Sequence, residues 1–407
     1  MEHIPVRFTK PKKVVGLDIG SHSVKVVQMA KSGGKLNVEE VGYAVIDRNL
    51  LNSDPVEAHA LALREALSNI AVTQSMVVGA LPGQTVVIRY PRLRNVSEED
   101  MSEAIEKEAN HNIPYDLSEV LLDWSILDRE SDGDNEQTKV LLVAAKHEVI
   151  DSRVQYADAA DIQYNMLSVD SLALADAADS CNMLVENETA ALINIGSSTV
   201  SIHFTKNGVS NFIRDISWGA KELIQCIAKA RQLDFETAEQ ILFETAHTIS
   251  HHESDVVAVE AVNDDSYSEN DGDSNASLLE PLSDELGLED NSLGNPGDDL
   301  APAPIHETPV SDILSQPIER LVAEVRRSFD YYEHQLYEHP VDRIILSGGV
   351  AHLPIIREAL SENLDIENVV VADPSDSALN FKKSAAMANP SQFMVAVGLA
   401  ARGAEEL

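Results

Sequence analysis

The feature that most constrains this chain is a turn it carries twice. The first copy, Gly16-Leu17-Asp18-Ile19-Gly20-Ser21-His22-Ser23-Val24-Lys25, reads as a strand ending in an acid, a Gly-Ser turn and a second strand. Asn194-Ile195-Gly196-Ser197-Ser198-Thr199-Val200 repeats it 176 residues later, counted from Asp18 to Asn194. Glycine permits such a turn and lets an anion approach the backbone. Successive N–H groups there form an anion-binding nest. One hairpin of this kind says little, but two facing each other would clasp a polyphosphate from both sides. The binding candidates are therefore Gly20, Ser21, His22, Ser23 and Lys25 in the first copy and Gly196, Ser197, Ser198 and Thr199 in the second. Asp18 is placed to hold Mg²⁺ through water, since Mg²⁺ keeps much of its hydration shell and takes one or two carboxylates.

The surrounding pattern is duplicated as well. Val14–Ile19, Val24–Met29 and Val38–Ile46 are β-branched runs, followed by a helical pattern from about Asp54 to Ile70 and a strand at Met76–Leu81. Ala190–Ile195, Thr199–Phe204 and Val209–Arg214 repeat the three strands, with helices at Gly219–Arg231 and Phe235–His247. A last strand, Val341–Leu346, runs into Ser347-Gly348-Gly349-Val350 and a helix from about Leu353. Three hairpin-connected strands, a helix and a further strand make up a ribonuclease-H-like unit. Internal duplication is the simplest account of two. The expected fold is α/β and two-lobed, with lobe 1 over residues 1–185 and lobe 2 over 186–407. A small subdomain at about 84–158 is inserted in lobe 1, with a helix at Ser97–His111 and strands at Leu117–Leu127 and Lys139–Lys146.

Two further elements belong with the cleft. The diglycine at Ser347, Gly348, Gly349 and Val350 follows a buried strand, and such small residues let a flat base or ribose lie against the backbone near helix N–H groups. Trp218-Gly219-Ala220-Lys221-Glu222 opens a helix; Gly219 is expected to line the cleft, with Lys221 or Glu222 contacting ribose or adenine.

At 407 residues the chain exceeds one compact core and suits two lobes. Its 68 acidic against 30 basic residues give a net charge of −38, which disfavours nucleic acid and anionic lipid surfaces as partners. The start, with Arg7, Lys10, Lys12 and Lys13, is locally basic and reads as a solvated tail. Two cysteines make no disulfide framework, and no apolar run has signal-peptide or membrane-spanning length, so a cytoplasmic protein is expected. From Gln232 to Glu319 there is no Lys or Arg, and about 250–308 is rich in Asp, Glu, Ser, Asn, Gly and Pro. Such a segment cannot bury enough apolar surface to offset its ordering entropy and reads as a disordered acidic insertion. Beyond it, Ile318, Leu321, Val322, Val325, Phe329, Tyr332 and Leu336 form the apolar stripe of a long helix, with Pro317 in its first turn.

Together the two hairpins and the diglycine resemble the actin-like nucleotide-binding superfamily, with phosphates at Asp18–Lys25 and Asn194–Thr199 and adenosine at Ser347–His352. Within it the chain is similar to the PilM family of type IV pilus assembly proteins, whose better-known relative is the cell-division protein FtsA. The narrower likeness rests on Val15-Gly16-Leu17-Asp18-Ile19-Gly20-Ser21 with Ser23-Val24-Lys25-Val26-Val27, on Ile113-Pro114-Tyr115-Asp116-Leu117-Ser118-Glu119-Val120 with Leu122-Asp123-Trp124, and on Pro317–Gln335. It covers the chain except the acidic insertion.

The resemblance implies ATP and Mg²⁺ as ligands. It implies as partner the cytoplasmic N-terminal peptide of a PilN-type inner-membrane protein, alongside other pilus assembly components. The chain would then sit at the inner membrane only through that partner, and the resemblance leaves homo-oligomerisation open. Three departures bear on catalysis. Asn194 stands where the family usually has Asp, leaving the metal shell Asp18 and Asn194. Asp170, in a connecting helix expected to begin at Leu167, stands where relatives carry a Glu thought to orient the attacking water. The insertion is not a usual family part. At most a slow Mg²⁺-dependent ATPase is implied, with Asp170 and Asp18 as its catalytic residues. The competing readings are a nucleotide-independent scaffold with a decayed site, a small-molecule kinase, for which no base is evident, and an FtsA-like filament former, whose membrane-binding terminal helix this chain lacks.

Overall fold

The computed structural model describes residues 11–132, 135–244, 308–382 and 387–407. The acidic stretch at about 250–308 lies almost wholly outside them, as do Arg7 and Lys10.

The first unit opens with β1 (Lys13–Ile19), β2 (Ser23–Ser32) and β3 (Lys35–Val45), then α1 (Arg48–Ser53), α2 (Pro55–Ala66) and β4 (Ser75–Leu81). The single helix expected over Asp54–Ile70 is two. Asp47 caps α1 by accepting from Leu50 N–H, and Asp54 breaks the helix and caps α2 at Glu57 N–H, with Pro55 in the first turn. An inserted subdomain follows, of β5 (Val86–Arg89), β6 (Arg92–Arg94), α3 (Met101–Asn112), β7 (Val120–Asp132) and β8 (Asn135–Lys146). It has its own core of Leu93, Ile105, Val140 and Leu142. It ends at β8, short of the expected residue 158. The next helix, α4 (His147–Ala159), puts Ala157 and Tyr156 into the core beneath α2 instead. The unit closes with β9 (Met166–Val169) and α5 (Asp170–Ser180). Leu167–Val169, expected in a helix, pair as a strand with β4, so the connecting helix begins at Asp170.

The second unit runs β10 (Thr189–Ile195), β11 (Val200–Lys206), β12 (Val209–Ile216), α6 (Ala220–Arg231) and α7 (235–244). It continues with α8 (Val310–Asp330), β13 (Arg343–Gly348), α9 (Pro354–Leu364) and β14 (Val369–Val371). Pro317 lies inside α8, not in its first turn, because Leu314 extends the buried stripe upstream. Downstream, a π-turn at Tyr331–Gln335 shifts the register, so Tyr332 stacks on Phe204 with ring centroids 4.3 Å apart while Leu336 is 37% exposed.

The first sheet has the order β3-β2-β1-β4-β9 and the second β12-β11-β10-β13-β14. In each, the first three strands are antiparallel and the last two join in parallel. The duplication read from the sequence is therefore a duplication of topology.

The C-terminal segment, expected in lobe 2, crosses back. β15 (Asn380–Phe381) pairs with β3 on the first sheet, and α10 (Met394–Glu405) packs on β1 and α5. Small residues make this possible: a side chain on Gly16 would collide with the α10 backbone at Ala396, and one on Gly398 with the Ala173 carbonyl of α5. Arg402 locks the pair through Asp176 at 3.0 Å. α5 and α10 are shared by a core that takes Val27 and Met29 from one sheet and Leu192 and Ile345 from the other. Among the described residues no helix is long and apolar enough to cross a membrane.

Candidate functional site

The two hairpins have the same closure. Gly20 N–H donates to Ser23 O at 3.1 Å, and Gly196 N–H donates to Thr199 O at 2.9 Å. Their tips meet, with Ser21 and Ser198 hydroxyls 3.1 Å apart, at the base of a cavity of about 740 Å³. Its wall takes Asp18, Gly20, Ser21, His22, Ser23, Lys25 and Asp170 from the first unit. From the second it takes Asn194, Gly196, Ser197, Ser198, Thr199, Gly348, Gly349 and Val350.

Four expected residues, Ser347, Gly219, Lys221 and Glu222, do not line it. Ser347 is fully buried behind the wall, where its hydroxyl donates to Asn194 Oδ1 at 3.1 Å. Gly219 lies behind the second hairpin, so close that any side chain would strike Ser197 backbone. Glu222 is drawn off by Arg320 at 3.3 Å. Gly348 has φ +101°, and a Cβ there would collide with the Ile195 carbonyl, so glycine is required where β13 meets the second hairpin.

Strand register sets the chemistry of each side. In the first sheet Asp18, Lys25 and Tyr43 are directly opposed on β1, β2 and β3, and Lys25 pairs with Asp18 at 3.3 Å. In the second, Ser347, Asn194, Ser201 and Asp215 are opposed on β13, β10, β11 and β12. Directly opposed residues share a face, so the second sheet does bring a carboxylate to the cleft, two strands away from Asn194.

Asp170 starts α5, with Oδ1 accepting from Gly83 N–H at 2.9 Å and Ser171 N–H at 2.6 Å. Burial, then the nearby Asp215 and Asp18 carboxylates, push its pKa up to about 7 despite those two donors. Burial also raises the pKa of Asp215, outweighing the opposite effect of the Ser201 hydroxyl, which approaches as a hydrogen-bond donor. At the mouth, His22 is held neutral, its pKa lowered to about 4 by burial and by Arg48 and Lys25. It faces Glu239 of α7 at 3.7 Å.

Sequence reasoning missed several wall residues: Gln84, Arg153, Asp215, Gln240 and Phe243. Gln84 accepts from the Thr199 hydroxyl at 3.1 Å across the cleft, and Arg153 of α4 donates to Ile19 O at 3.0 Å. None sits in a motif. Only for Asp215 was a signal present, in the alignment of the strand pattern around Val209–Arg214 with the hairpin before it.

Two ribonuclease-H-like units facing each other over a cleft, with their turns meeting at its base, define an actin-like protein. The sequence model of the family described as type IV pilus assembly protein PilM matches residues 16–257 and 306–404, and the chain belongs to that family. A solved PilM–PilN type IV pilus biogenesis complex shares the fold with a TM-score of 0.72 at 20% identity, covering 97% of this chain and 99% of that one. The ethanolamine utilization protein EutJ from Carboxydothermus hydrogenoformans aligns at TM-score 0.49 and 13% identity, covering 97% and 92%.

Proposed function

We propose that this chain is a nucleotide-switched scaffold of type IV pilus assembly, binding ATP between its lobes and the cytoplasmic N-terminal peptide of a PilN-type inner-membrane protein on lobe 1. The observation that carries the reading is the meeting of two identically closed Gly-Ser hairpins under a cavity of about 740 Å³. That size falls in the range of small-molecule sites. Lys25 and Arg153 supply positive charge at the phosphate end, and the open side of Gly349, where a Cβ would meet nothing, leaves room for a base or ribose.

The donor set also fits Mg²⁺. No group of three or more His, Cys, Asp or Glu converges as a metal cage among the described residues. One carboxylate with water and phosphate oxygens is how Mg²⁺ is usually held. Asp18 and Asn194 would hold it through water, and it would neutralise phosphate charge. Asn194 adds no charge of its own, and its Oδ1 already accepts from Ser347. Hydrolysis is therefore slow, with Asp170 orienting the water.

Coupling to a partner is supported by a buried relay. Tyr90, between β5 and β6 of the subdomain, lies 2.7 Å from the Ser210 hydroxyl, which lies 2.7 Å from His203 Nε2; His203 Nδ1 lies 2.8 Å from Ser171 O. A carbonyl only accepts, so Nδ1 carries the proton and Nε2 accepts from Ser210, which in turn accepts from Tyr90. Burial lowers the pKa of His203 to about 4 and keeps it neutral. The relay thus joins the subdomain to the residue beside Asp170. Attachment to the inner membrane would come through the partner.

Calorimetry of ATP with Mg²⁺ tests the reading: binding by the parent chain, weakened in Asp18→Ala, is expected. No binding by the parent would favour a nucleotide-independent scaffold, the reading that Asn194 supports. Capture of a PilN-type N-terminal peptide, stronger with ATP than without, tests the partner.

A further inference from the structure

Asp215 has no part in the hairpins or the diglycine, yet the structure brings it into the cleft. It comes from lobe 2 and Asp170 from lobe 1, and both reach Gly83. A Cβ added to Gly83 would stand 2.6 Å from Asp215 Oδ2 and 3.0 Å from Asp170 Oδ1. Beside Asp215, Ser201 on β11 is only 5% exposed and lines the cavity; its buried hydroxyl lies close enough to the Asp215 carboxyl to favour its ionised form, yet makes no hydrogen bond of good geometry within the protein. Such a group is costly to leave unmatched. Buried waters typically make about three hydrogen bonds to groups of this kind. The Ser201 hydroxyl and the Asp215 and Asp170 carboxyls are three.

We propose that Asp215 is a positioning residue which, with the Ser201 hydroxyl, holds a water against Asp170, and that this is the water that attacks the terminal phosphate of ATP. The role rests on the nucleotide reading above. Two carboxyls brought together away from bulk water favour sharing one proton, which leaves one of them free to accept from the water. In the step itself the water oxygen bonds to the terminal phosphorus. The bond from that phosphorus to the bridging oxygen breaks, and its electron pair stays on the diphosphate. The proton lost by the water passes to the ionised member of the pair.

Two measurements on the full chain test this. Crystals without nucleotide and with a non-hydrolysable ATP analogue should show an ordered water within hydrogen-bonding distance of Ser201 Oγ, Asp215 and Asp170, lost in Ser201→Ala. Single-turnover phosphate release should fall about 100-fold in Asp215→Asn, with ATP affinity by calorimetry changed by no more than about threefold. In that variant the low-pH limb of the rate profile should move to lower pH, since a like charge beside Asp170 is gone, and Asp215→Glu should recover part of the rate. Absence of the water, or an unchanged rate and limb in Asp215→Asn, overturns the role. If the parent binds ATP and Asp215→Asn changes nothing, only this inference falls. If the parent binds no ATP, the nucleotide reading falls and takes the attacking-water role with it.

Discussion

The two halves of this molecule share a topology and differ in where they place charge. On the first sheet the acid and the base stand side by side on the inner strands, Asp18 against Lys25, with Tyr43 at the outer position. On the second the inner strands carry only an amide and a hydroxyl, Asn194 and Ser201, and the acid occupies the outer position as Asp215. Asp215 is thus the counterpart of Tyr43, not of Asp18. The first unit concentrates charge beside its Gly-Ser turn. The second moves it toward the lobe interface, where it meets Asp170. Duplication preserved the frame, and the two rows of side chains diverged within it.

The largest effect expected from this asymmetry is on stability. The folded-state pKa of Asp170 is raised from the ordinary 3.8 to about 7, so its native form favours the proton, and its contribution is lost as pH rises through that window. Asp170→Asn keeps an acceptor for Gly83 and Ser171 but cannot ionise. It should be more stable than the parent above pH 7, by up to about 4 kcal/mol as a ceiling, with the difference vanishing below about pH 4. Unfolding across pH 3–8 checks this, and a difference that does not depend on pH would show that neither burial nor the Asp215 and Asp18 carboxylates raise Asp170 in the folded chain.

Next in size is the exchange of inner-strand residues. Asp18→Asn should weaken Mg²⁺-dependent ATP binding by about 10–100-fold, the effect of losing a charged hydrogen-bonding group. Asn194→Asp should instead raise phosphate release by a smaller factor. Equal and opposite effects in calorimetry and phosphate assays would mean that the halves are chemically interchangeable.

His203→Gln should cost about 1–3 kcal/mol, because it breaks a buried relay. The parent's histidine resists protonation down to about pH 4 in the folded state, against 6.5 for the ordinary group, so the parent loses stability as pH falls through that window. The variant should show a shallower loss there, measured by thermal unfolding. It should also weaken the effect of ATP on partner-peptide capture. Smallest of all, Glu222→Ala removes an ion pair at the protein surface and should change stability by less than about 1 kcal/mol and leave ATP affinity unaltered.

Much of the frame was legible. β-branched runs and turn residues gave both three-strand hairpins to within a few residues, because alternation and glycine turns are local signals. The apolar spacing from Ile318 to Phe329 gave the buried face of α8 for the same reason. Pro317 and Leu336 misled because the helix starts and the register shift depend on what Leu314 and Tyr332 pack against. Gly219, Glu222 and Ser347 were close to the cleft in sequence but turned from it by a backbone contact, an ion pair and burial.

By itself the sequence determined the duplicated strands and turns, since each hairpin is closed by its own glycine and its own carbonyl. It could not determine which side chains face one another across strands and lobes. Asp215 reaches the cleft through strand pairing, Gln84 and Arg153 through elements far from either hairpin, and α10 returns to the first sheet because Gly16 and Gly398 admit it. A turn is set by neighbours in the chain, whereas the meeting of Asp170 with Asp215 is set by the packing of two lobes around α5 and α10, and so only the tertiary structure decided it.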